Sequence, residues 1–349
     1  MKTPALFRPN QPAFRQQYAA LRERSLTARS LLPGTPGTLQ LRRGTGYAYW
    51  YRVYYPVPGK QAETLVGREG DSAAENAMRA QMDFAESTAR QVGMLRKLGF
   101  HVADKISARA LVELHNLGAF EGGLLLAGSL GCMAWLNELG ARLRQPAGEP
   151  AVLPRLELVA PAAFLSQPLA AALPLVAAPE PSAVPNGAAP TELATHATVA
   201  LPGLPAIPAD ILVAGPRFGA AVSAPGLAWS ATTTADHAYL LADPAPGALL
   251  AGGQCIPVHL PQAARLVWHQ LYVSRHHTAA QAMVERRLAL SLAAVVLASD
   301  PWAMLTAWEA APSAIIEPLR PLREALLSSA AGHPDLQDLL ADCLGAPPA

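Results

Sequence analysis

The segment at residues 124–136, LLLAGSLGCMAWL, constrains the fold more than any other part of the chain. Four apolar residues lead into Gly128 and Ser129, and a helix-forming run follows at once. Glycine and a small hydroxyl residue at this junction leave backbone N–H groups at the helix N-terminus, where they can bind an anion such as phosphate. The pattern predicts a buried strand at residues 124–127 and a helix that ends near residue 143. A tight turn without a ligand is the alternative interpretation.

The composition is that of a globular chain whose charge is unevenly distributed. Hydrophobic residues make up 51% and charged residues 15% of 349 positions, which is enough for one large core or two moderate ones. Residues 1–110 carry 17 Lys and Arg against 8 Asp and Glu, whereas residues 111–349 carry 10 against 18. The basic N-terminal part predicts either an anionic partner or contact with the acidic remainder.

Cysteine usage and hydropathy favour a cytoplasmic location. Cys132, Cys255 and Cys343 are far apart, and no Cys-x-x-Cys pair supports a zinc site or a disulfide framework. The N-terminus has no apolar stretch of the signal-peptide kind. The apolar run at residues 288–298 is too short to span a bilayer.

The N-terminal region predicts an arginine-rich helix and an aromatic hairpin. Residues 11–32 favour a helix that ends in a Pro-Gly turn. Residues 47–55, YAYWYRVYY, have strong strand propensity, and residues 62–66 return as a second strand. Exposed rings on this hairpin could stack on nucleic-acid bases. The alternative is a hairpin that packs one face on the rest of the protein.

The rest of the chain is assigned to helices and short strands. Apolar residues three and four apart predict a long helix at 72–98, and residues 261 onward are helical in pattern. The Pro-rich stretch at 179–187 predicts a surface loop. We divide the chain into four regions: a basic helix with the aromatic hairpin (1–68), a helical connector (69–118), the region that carries Gly128 and Ser129 (119–258) and a helical lobe (259–349).

Oxygen ligands for a metal ion are scarce near the Gly-Ser turn. No aspartate occurs between Asp104 and Asp210, and Glu157 is the only acid in the apolar stretch 153–159. Asp210 adjoins a predicted strand at 211–214. The alternatives are that Asp210 caps a strand end and that Glu157 is a surface residue of an edge strand.

Four segments in the same order resemble the bacterial minimal nucleotidyltransferases of the polymerase-β superfamily. TLVG at 64–67 looks like the end of that family's aromatic ribbon, and LGAF at 117–120 with 125–135 is similar to its "G-x-F…LVG-[ST]-x-A" block. ADILV at 209–213 looks like its "VDhLTP" strand. ARLVWHQL at 264–271, within 257–275, is similar to its "P-x-RFAxHKL…R" helix. The resemblance covers about residues 15–310.

This resemblance implies transfer of a nucleoside monophosphate from an NTP to an RNA or protein hydroxyl with Mg²⁺. It implies that Glu157 and Asp210 bind the metal and act in catalysis. Two-metal sites are compact, so the Asp210 carboxylate is expected on an adjacent strand, within roughly 10 Å of Ser129. The implied nucleotide-binding residues are Gly128, Ser129, His269 and Arg275. For His269, an ordinary helix histidine with satisfied hydrogen bonds is the alternative.

The chain also departs from the family pattern at three places. The expected Asp-x-Asp motif falls on LPRLELV at 153–159, where only Glu157 is acidic. The lysine expected after His269 is Gln270, and a later Lys-Asp pair falls near Arg286 and Arg287. A missing carboxylate removes both charge and a bridging ligand, which weakens metal binding.

The predicted fold is α/β (α+β), with a small mixed nucleotidyltransferase palm sheet, an N-terminal β-hairpin and a helical C-terminal lobe. Three functions remain open at this point. The chain is an active nucleotidyltransferase, a degenerate member that binds a nucleotide, nucleic acid or protein without chemistry, or a structural partner subunit.

Overall fold

A computed structural model describes residues 5–57, 59–143, 155–178 and 196–345. These residues form a mixed α/β structure with several small sheets and a helical C-terminal region, which confirms the predicted fold class.

The N-terminal part forms a three-stranded antiparallel sheet flanked by helices. The predicted hairpin is present, and a third strand precedes it because residues 38–41 alternate polar and apolar side chains. Asp71 and Asp104 cap the two helices that follow by accepting hydrogen bonds from first-turn N–H groups. The elements are β1 (Phe7–Pro9), α1 (Pro12–Leu26), β2 (Thr38–Gly44), β3 (Tyr47–Val57), β4 (Lys60–Arg68), α2 (Ser72–Lys97) and α3 (Lys105–Asn116).

The middle of the chain builds the central mixed sheet. Its described strands follow the order β11-β12-β10-β7-β5, and β8 and β9 extend it from β10. The strand β10 runs parallel to β7 and β12, while β5 runs antiparallel to β7. The elements are β5 (Leu125–Leu126), α4 (Gly128–Glu138), β6 (Ala141–Leu143), β7 (Leu156–Val159), α5 (Pro168–Ala172), β8 (Leu175–Ala177), β9 (Ala197–Val199), β10 (Ile207–Ala214), β11 (Ala221–Ser223) and β12 (Ser230–Thr234).

The predicted end of the helix after Ser129 is wrong. The helix α4 ends at Glu138, before the expected residue 143. Gly140 adopts a left-handed φ of 66°, which ends the helical turn and directs the chain into β6.

The C-terminal part begins with a two-stranded sheet and continues as a helical lobe. The sheet pairs β13 with β14 through a Gly252-Gly253 turn. Trp268 lies at the centre of the lobe, fully buried and 4.7 Å from the ring of Trp308. The elements are α6 (His237–Leu241), β13 (Ala245–Ala251), β14 (Gln254–Leu260), α7 (Ala263–Val273), α8 (Ala279–Ser299), α9 (Ala303–Glu309), α10 (Ser313–Leu319), α11 (Arg323–Ser329) and α12 (Pro334–Leu344).

The two faces of the central sheet support separate hydrophobic clusters. Leu158 and Ile211 join the cluster that includes residues of α3. Val159 and Leu212 point to the opposite face and join the cluster that contains α7 and α8. Side chains alternate along a strand, so Glu157 and Asp210 lie on this second face, toward the helical lobe.

The N-terminal strand is attached to elements far along the chain. The strand β1 pairs antiparallel with β6. The Leu6 amide donates a 2.7 Å hydrogen bond to Nε2 of His333, and the ring of Phe7 stacks on the same imidazole at 5.9 Å.

In the described part of the chain, each helix is too short or too polar to cross a membrane by itself. The helices α8 and α9 are long and apolar enough only when taken together, and they are bent by 117° relative to each other.

Candidate functional site

The Gly128-Ser129 turn lies against Glu157. Gly128 is buried, has a left-handed φ of 61° and begins α4, while Ser129 is half-buried. A Cβ at Gly128 would lie 3.0 Å from the Cβ of Glu157. Glycine is therefore needed both for the backbone conformation and for this close approach. The residue before the turn, Ala127, has no side chain that could cap the first N–H groups of the helix.

Glu157 and Asp210 are neighbours across a pair of parallel strands. They occupy paired positions of β7 and β10, so their side chains emerge on the same face. Both residues are buried, with 5% and 1% of their surface exposed. Glu157 is thus an interior residue and not the edge-strand surface residue of the alternative interpretation. The prediction that Asp210 lies on a strand adjacent to β5 is wrong, because β7 lies between β5 and β10 and it is Glu157 that occupies the adjacent strand.

Asp210 is paired with an arginine. Nε of Arg155 donates to Oδ2 of Asp210 at 2.5 Å, and the Thr232 hydroxyl donates to Oδ1 at 3.0 Å. Burial by itself lowers the pKa of Arg155, but the charge of Asp210 more than compensates and raises it. Both carboxylate oxygens of Asp210 therefore have donors from the protein, and one donor is a permanent cation.

Glu157 is paired with a histidine that also contacts a second acid. Nε2 of His269 lies 2.8 Å from Oε1 of Glu157, and its Nδ1 lies 2.6 Å from Oδ2 of Asp236. The Thr234 hydroxyl donates to the other oxygen of Asp236. The imidazole of His269 is completely buried between the two carboxylates.

The two carboxylates keep His269 protonated at neutral pH. Burial alone lowers the pKa of the imidazole, but Asp236 and then Glu157 raise it, and the resulting pKa is about 10. Burial raises the pKa of Asp236, and the positive charge of His269 outweighs this effect and lowers it. Both ring nitrogens then donate hydrogen bonds, one to each acid. The pair Arg155–Asp210 and the triad Glu157–His269–Asp236 meet where β7 lies beside β10, and we call their five residues the ionic cluster.

The ionic cluster includes residues that the sequence did not single out. Arg155 and Asp236 were not among the candidate site residues. Asp236 lies two residues after the polar run Thr232-Thr233-Thr234 that ends β12, and an acid so close to the end of a strand was the available signal.

Arg275 lies outside the ionic cluster and is exposed. It belongs to the short 3-10 turn Ser274–His276 after α7, and it makes no hydrogen bond or ion pair within the described ranges. Its charge acts, after burial, to lower the pKa values of His276 and Arg286. Arg286 of α8 is half-buried, and its Nε donates to the Ser274 hydroxyl at 2.9 Å, so the two arginines lie near each other at the end of α7.

Two of the N-terminal arginines are paired with acids from different parts of the chain. Nε of Arg22 lies 2.7 Å from Glu138 at the end of α4, and Nη2 of Arg42 lies 2.5 Å from Glu63 of β4. The pair of Arg22 with Glu138 is a contact between the basic N-terminal part and the acidic remainder of the chain, whereas Arg42 and Arg43 pair with Glu63 and Glu69 of their own region.

The carboxylates do not fit a magnesium ion as they are arranged. Mg²⁺ prefers six oxygen ligands in octahedral geometry. Oε1 of Glu157 accepts from His269, and both oxygens of Asp210 accept from Arg155 and Thr232. Over the described residues, no group of three or more His, Cys, Asp or Glu side chains is arranged to bind a metal ion. The positive charge between these acids is provided by the protein itself.

Comparisons with known protein families, with characterised proteins and with solved structures found no match to this chain. The resemblance to the minimal nucleotidyltransferases therefore stays a prediction from the sequence motifs.

Proposed function

We propose that this chain is a nucleotidyltransferase-like protein that binds a nucleotide but does not transfer it. The proposal depends on one observation: both acids that the motifs assign to Mg²⁺ are neutralised by side-chain cations. His269 pairs with Glu157, and Arg155 pairs with Asp210.

A metal ion would have to displace these cations. Removal of one partner from a buried ion pair typically costs about 3–5 kcal/mol, because the other charge is left without compensation. Glu157, Asp210 and His269 are all nearly or completely buried. Metal binding would have to overcome this cost before it contributed to catalysis.

The remaining features support anion binding. The uncapped N-terminus of α4 at Gly128 and Ser129 has backbone N–H groups that favour phosphate. The exposed Arg275 is a cation without a partner among the described residues. An NTP bound without chemistry is the ligand that these features fit, and an RNA or protein would then be a binding partner and not an acceptor. The three cysteines are buried and not paired, in keeping with our proposal of a cytoplasmic location.

An active nucleotidyltransferase is the second candidate. It is favoured by the paired positions of Glu157 and Asp210 on parallel strands and by the contact of Glu157 with Gly128. Catalysis would require Arg155 to leave Asp210, so that Mg²⁺ could bind there and promote transfer to an RNA or protein hydroxyl.

The two candidates are separated by a labelling experiment with the full chain. We expect no transfer from labelled ATP, GTP, CTP or UTP with Mg²⁺ to the protein itself or to bulk RNA. We also expect NTP to raise the melting temperature without Mg²⁺, since a ligand that binds only the native state stabilises it. This shift should decrease in Arg275→Ala and persist in Arg90→Ala, a control at an exposed arginine of α2.

Two outcomes would contradict the proposal. Robust labelling that disappears in Asp210→Ala would establish the active enzyme. No stabilisation by any NTP would refute nucleotide binding and leave a member that binds only nucleic acid or protein, or a structural partner subunit.

A further inference from the structure

A cleft of about 630 Å³ lies away from the ionic cluster. It is enclosed by the loop before β2, the helices α2 and α3, the loop at residues 203–205 and the Gly252-Gly253 turn. Ligand pockets in proteins commonly measure about 300–1,000 Å³, so this cleft has room for a small organic molecule. None of the ionic-cluster residues lines it.

The walls of the cleft are held in place by buried polar contacts. Arg52 is 2% exposed, and its guanidinium donates to the carbonyl oxygens of Pro33 at 2.8 Å and Pro36 at 2.9 Å. The same side chain donates to the carbonyl of Thr35. These bonds fix the loop that forms one wall, so the cleft is already formed without a ligand.

The opposite wall depends on a close approach between a turn and a helix. A Cβ at Gly252 would lie 2.7 Å from the Cβ of Ala108 on α3. Gly252 also has a left-handed φ of 54°. The turn can therefore contact α3 directly only with glycine at this position.

The lining is mainly apolar. Small and branched side chains from α2, α3 and the loops form the floor and sides of the cleft: Ala85, Ala89, Ala108, Val112, Leu204 and Pro205. Such a surface favours the apolar part of a ligand, because burial removes apolar area from water.

Among the described residues, the charged side chains of the lining are all positive. Lys60, Lys105 and Arg109 line the cleft, and no Asp or Glu of the described ranges does. Arg109 is partly neutralised by Glu113 at 2.6 Å. Lys60 and Lys105 are exposed and form no ion pair within the described ranges. Asp104 already accepts from the N–H groups of Ile106 and Ser107, so an anion would contact the lysines and not the helix terminus.

From this combination we infer that the cleft binds an amphipathic anion: an apolar chain or ring system that carries one carboxylate or phosphate group. The apolar part occupies the floor beside Ala89 and Ala108, and the anionic group lies at the rim near Lys105. A neutral apolar ligand would leave the lysines without a partner, and a cationic ligand would be repelled by them.

Calorimetry with the full chain tests this inference with three probes of equal chain length. Laurate and dodecyl phosphate carry the two possible anionic groups, and dodecanol is the neutral control; all are used below micelle-forming concentrations. We expect both anions to bind more tightly than dodecanol, and the tighter of the two identifies the preferred headgroup.

Three variants locate the binding. Lys105→Met removes one rim charge and should weaken laurate binding about five- to tenfold, since a nearby charge contributes about this much at a partly exposed site. Ala89→Trp fills the cleft from an exposed position of α2 and should abolish binding. Lys97→Met, at an exposed lysine of α2 outside the cleft, is the matched control and should bind like the original chain.

Any of three results would overturn the inference. These are equal affinity for dodecanol and laurate, unchanged laurate affinity in Lys105→Met, and no binding of any of the three probes. Circular dichroism of Ala89→Trp checks that this variant retains the fold. If the fold is lost, the laurate affinity of Lys105→Met still decides the inference.

Discussion

Replacement of His269 by leucine should destabilise the protein strongly, because it leaves two buried acids without their shared cation. Glu157 and Asp236 both contact this imidazole and have almost no exposure to water. Loss of one partner from a buried ion pair costs about 3–5 kcal/mol, and here two acids lose the same partner, so we expect the upper part of that range. Domain stabilities are typically about 5–15 kcal/mol, so the loss is a large fraction of the total.

His115 offers a matched control. It is also buried in a helix, at 3% exposure, but neither of its ring nitrogens has a hydrogen-bond partner among the described residues. Replacement of an unsatisfied buried polar side chain by an apolar one of similar shape is nearly neutral or stabilising. We therefore expect His115→Leu to change the unfolding free energy by about 1 kcal/mol or less.

The assay is urea unfolding followed by tryptophan fluorescence at pH 7. The original chain, both single variants and a triple variant that adds Glu157→Gln and Asp236→Asn to His269→Leu are compared. The triple variant should recover part of the loss, because neutral amides remove the uncompensated charges. If His269→Leu costs no more than His115→Leu, or if the triple variant is the least stable of all, the assignment of a buried imidazolium is refuted.

Four further outcomes are expected. The contribution of His269 to the unfolding free energy should be complete below about pH 6.5, the pKa of a histidine in the unfolded chain, and should be lost as the pH rises through its folded pKa of about 10. The contribution of Asp236, whose pKa is lowered in the folded protein, should be lost as the pH falls below the ordinary pKa of an aspartate. Urea titrations of the original chain and of His269→Leu across pH 3–10 measure both contributions. Arg155→Met should lower the urea midpoint, and addition of Asp210→Asn should restore part of it; no recovery would count against the ion pair. Gly252→Ala should lower the melting temperature, whereas Gly226→Ala, which has a similar positive φ but open space around it, should lower it less; equal shifts would exclude the contact with α3 as the cause. The double variant Arg42→Ala with Arg43→Ala should change the unfolding free energy by less than about 1 kcal/mol, because both ion pairs are exposed. If the sheet of β2, β3 and β4 binds RNA, the slope of log affinity against log salt concentration in a gel-shift series should fall by about one to two units in this variant.

Local patterns were sufficient to predict the elements around the Gly-Ser turn. The strand predicted at residues 124–127 is present but shorter, since β5 covers only Leu125–Leu126, and the helix begins at Gly128 as the motif requires. The aromatic segment forms β3, because its β-branched and aromatic residues favour extended backbone. The helix end was misplaced because Gly140, and not the hydropathy pattern, determines where α4 stops.

The ionic cluster could not be predicted in the same way. Glu157 and His269 are separated by 112 residues, and Asp236 and His269 by 33. Their contact depends on which strands are neighbours and on how α7 packs over them, and neither is encoded in a local pattern. The placement of Glu157 on an edge strand failed for the same reason, because β7 is an interior strand between β5 and β10.

The attachment of Leu6 to His333 has a consequence for the order of folding during synthesis. These residues are 327 positions apart, so the first strand leaves the ribosome long before its partner in the helical lobe exists. At about 5–20 residues per second, the wait is roughly 15–65 s. During that time β1 can already pair with β6, but the Leu6 amide and the ring of Phe7 cannot make their contacts with His333. The attachment of this segment to the helical lobe is complete only after His333 has been made.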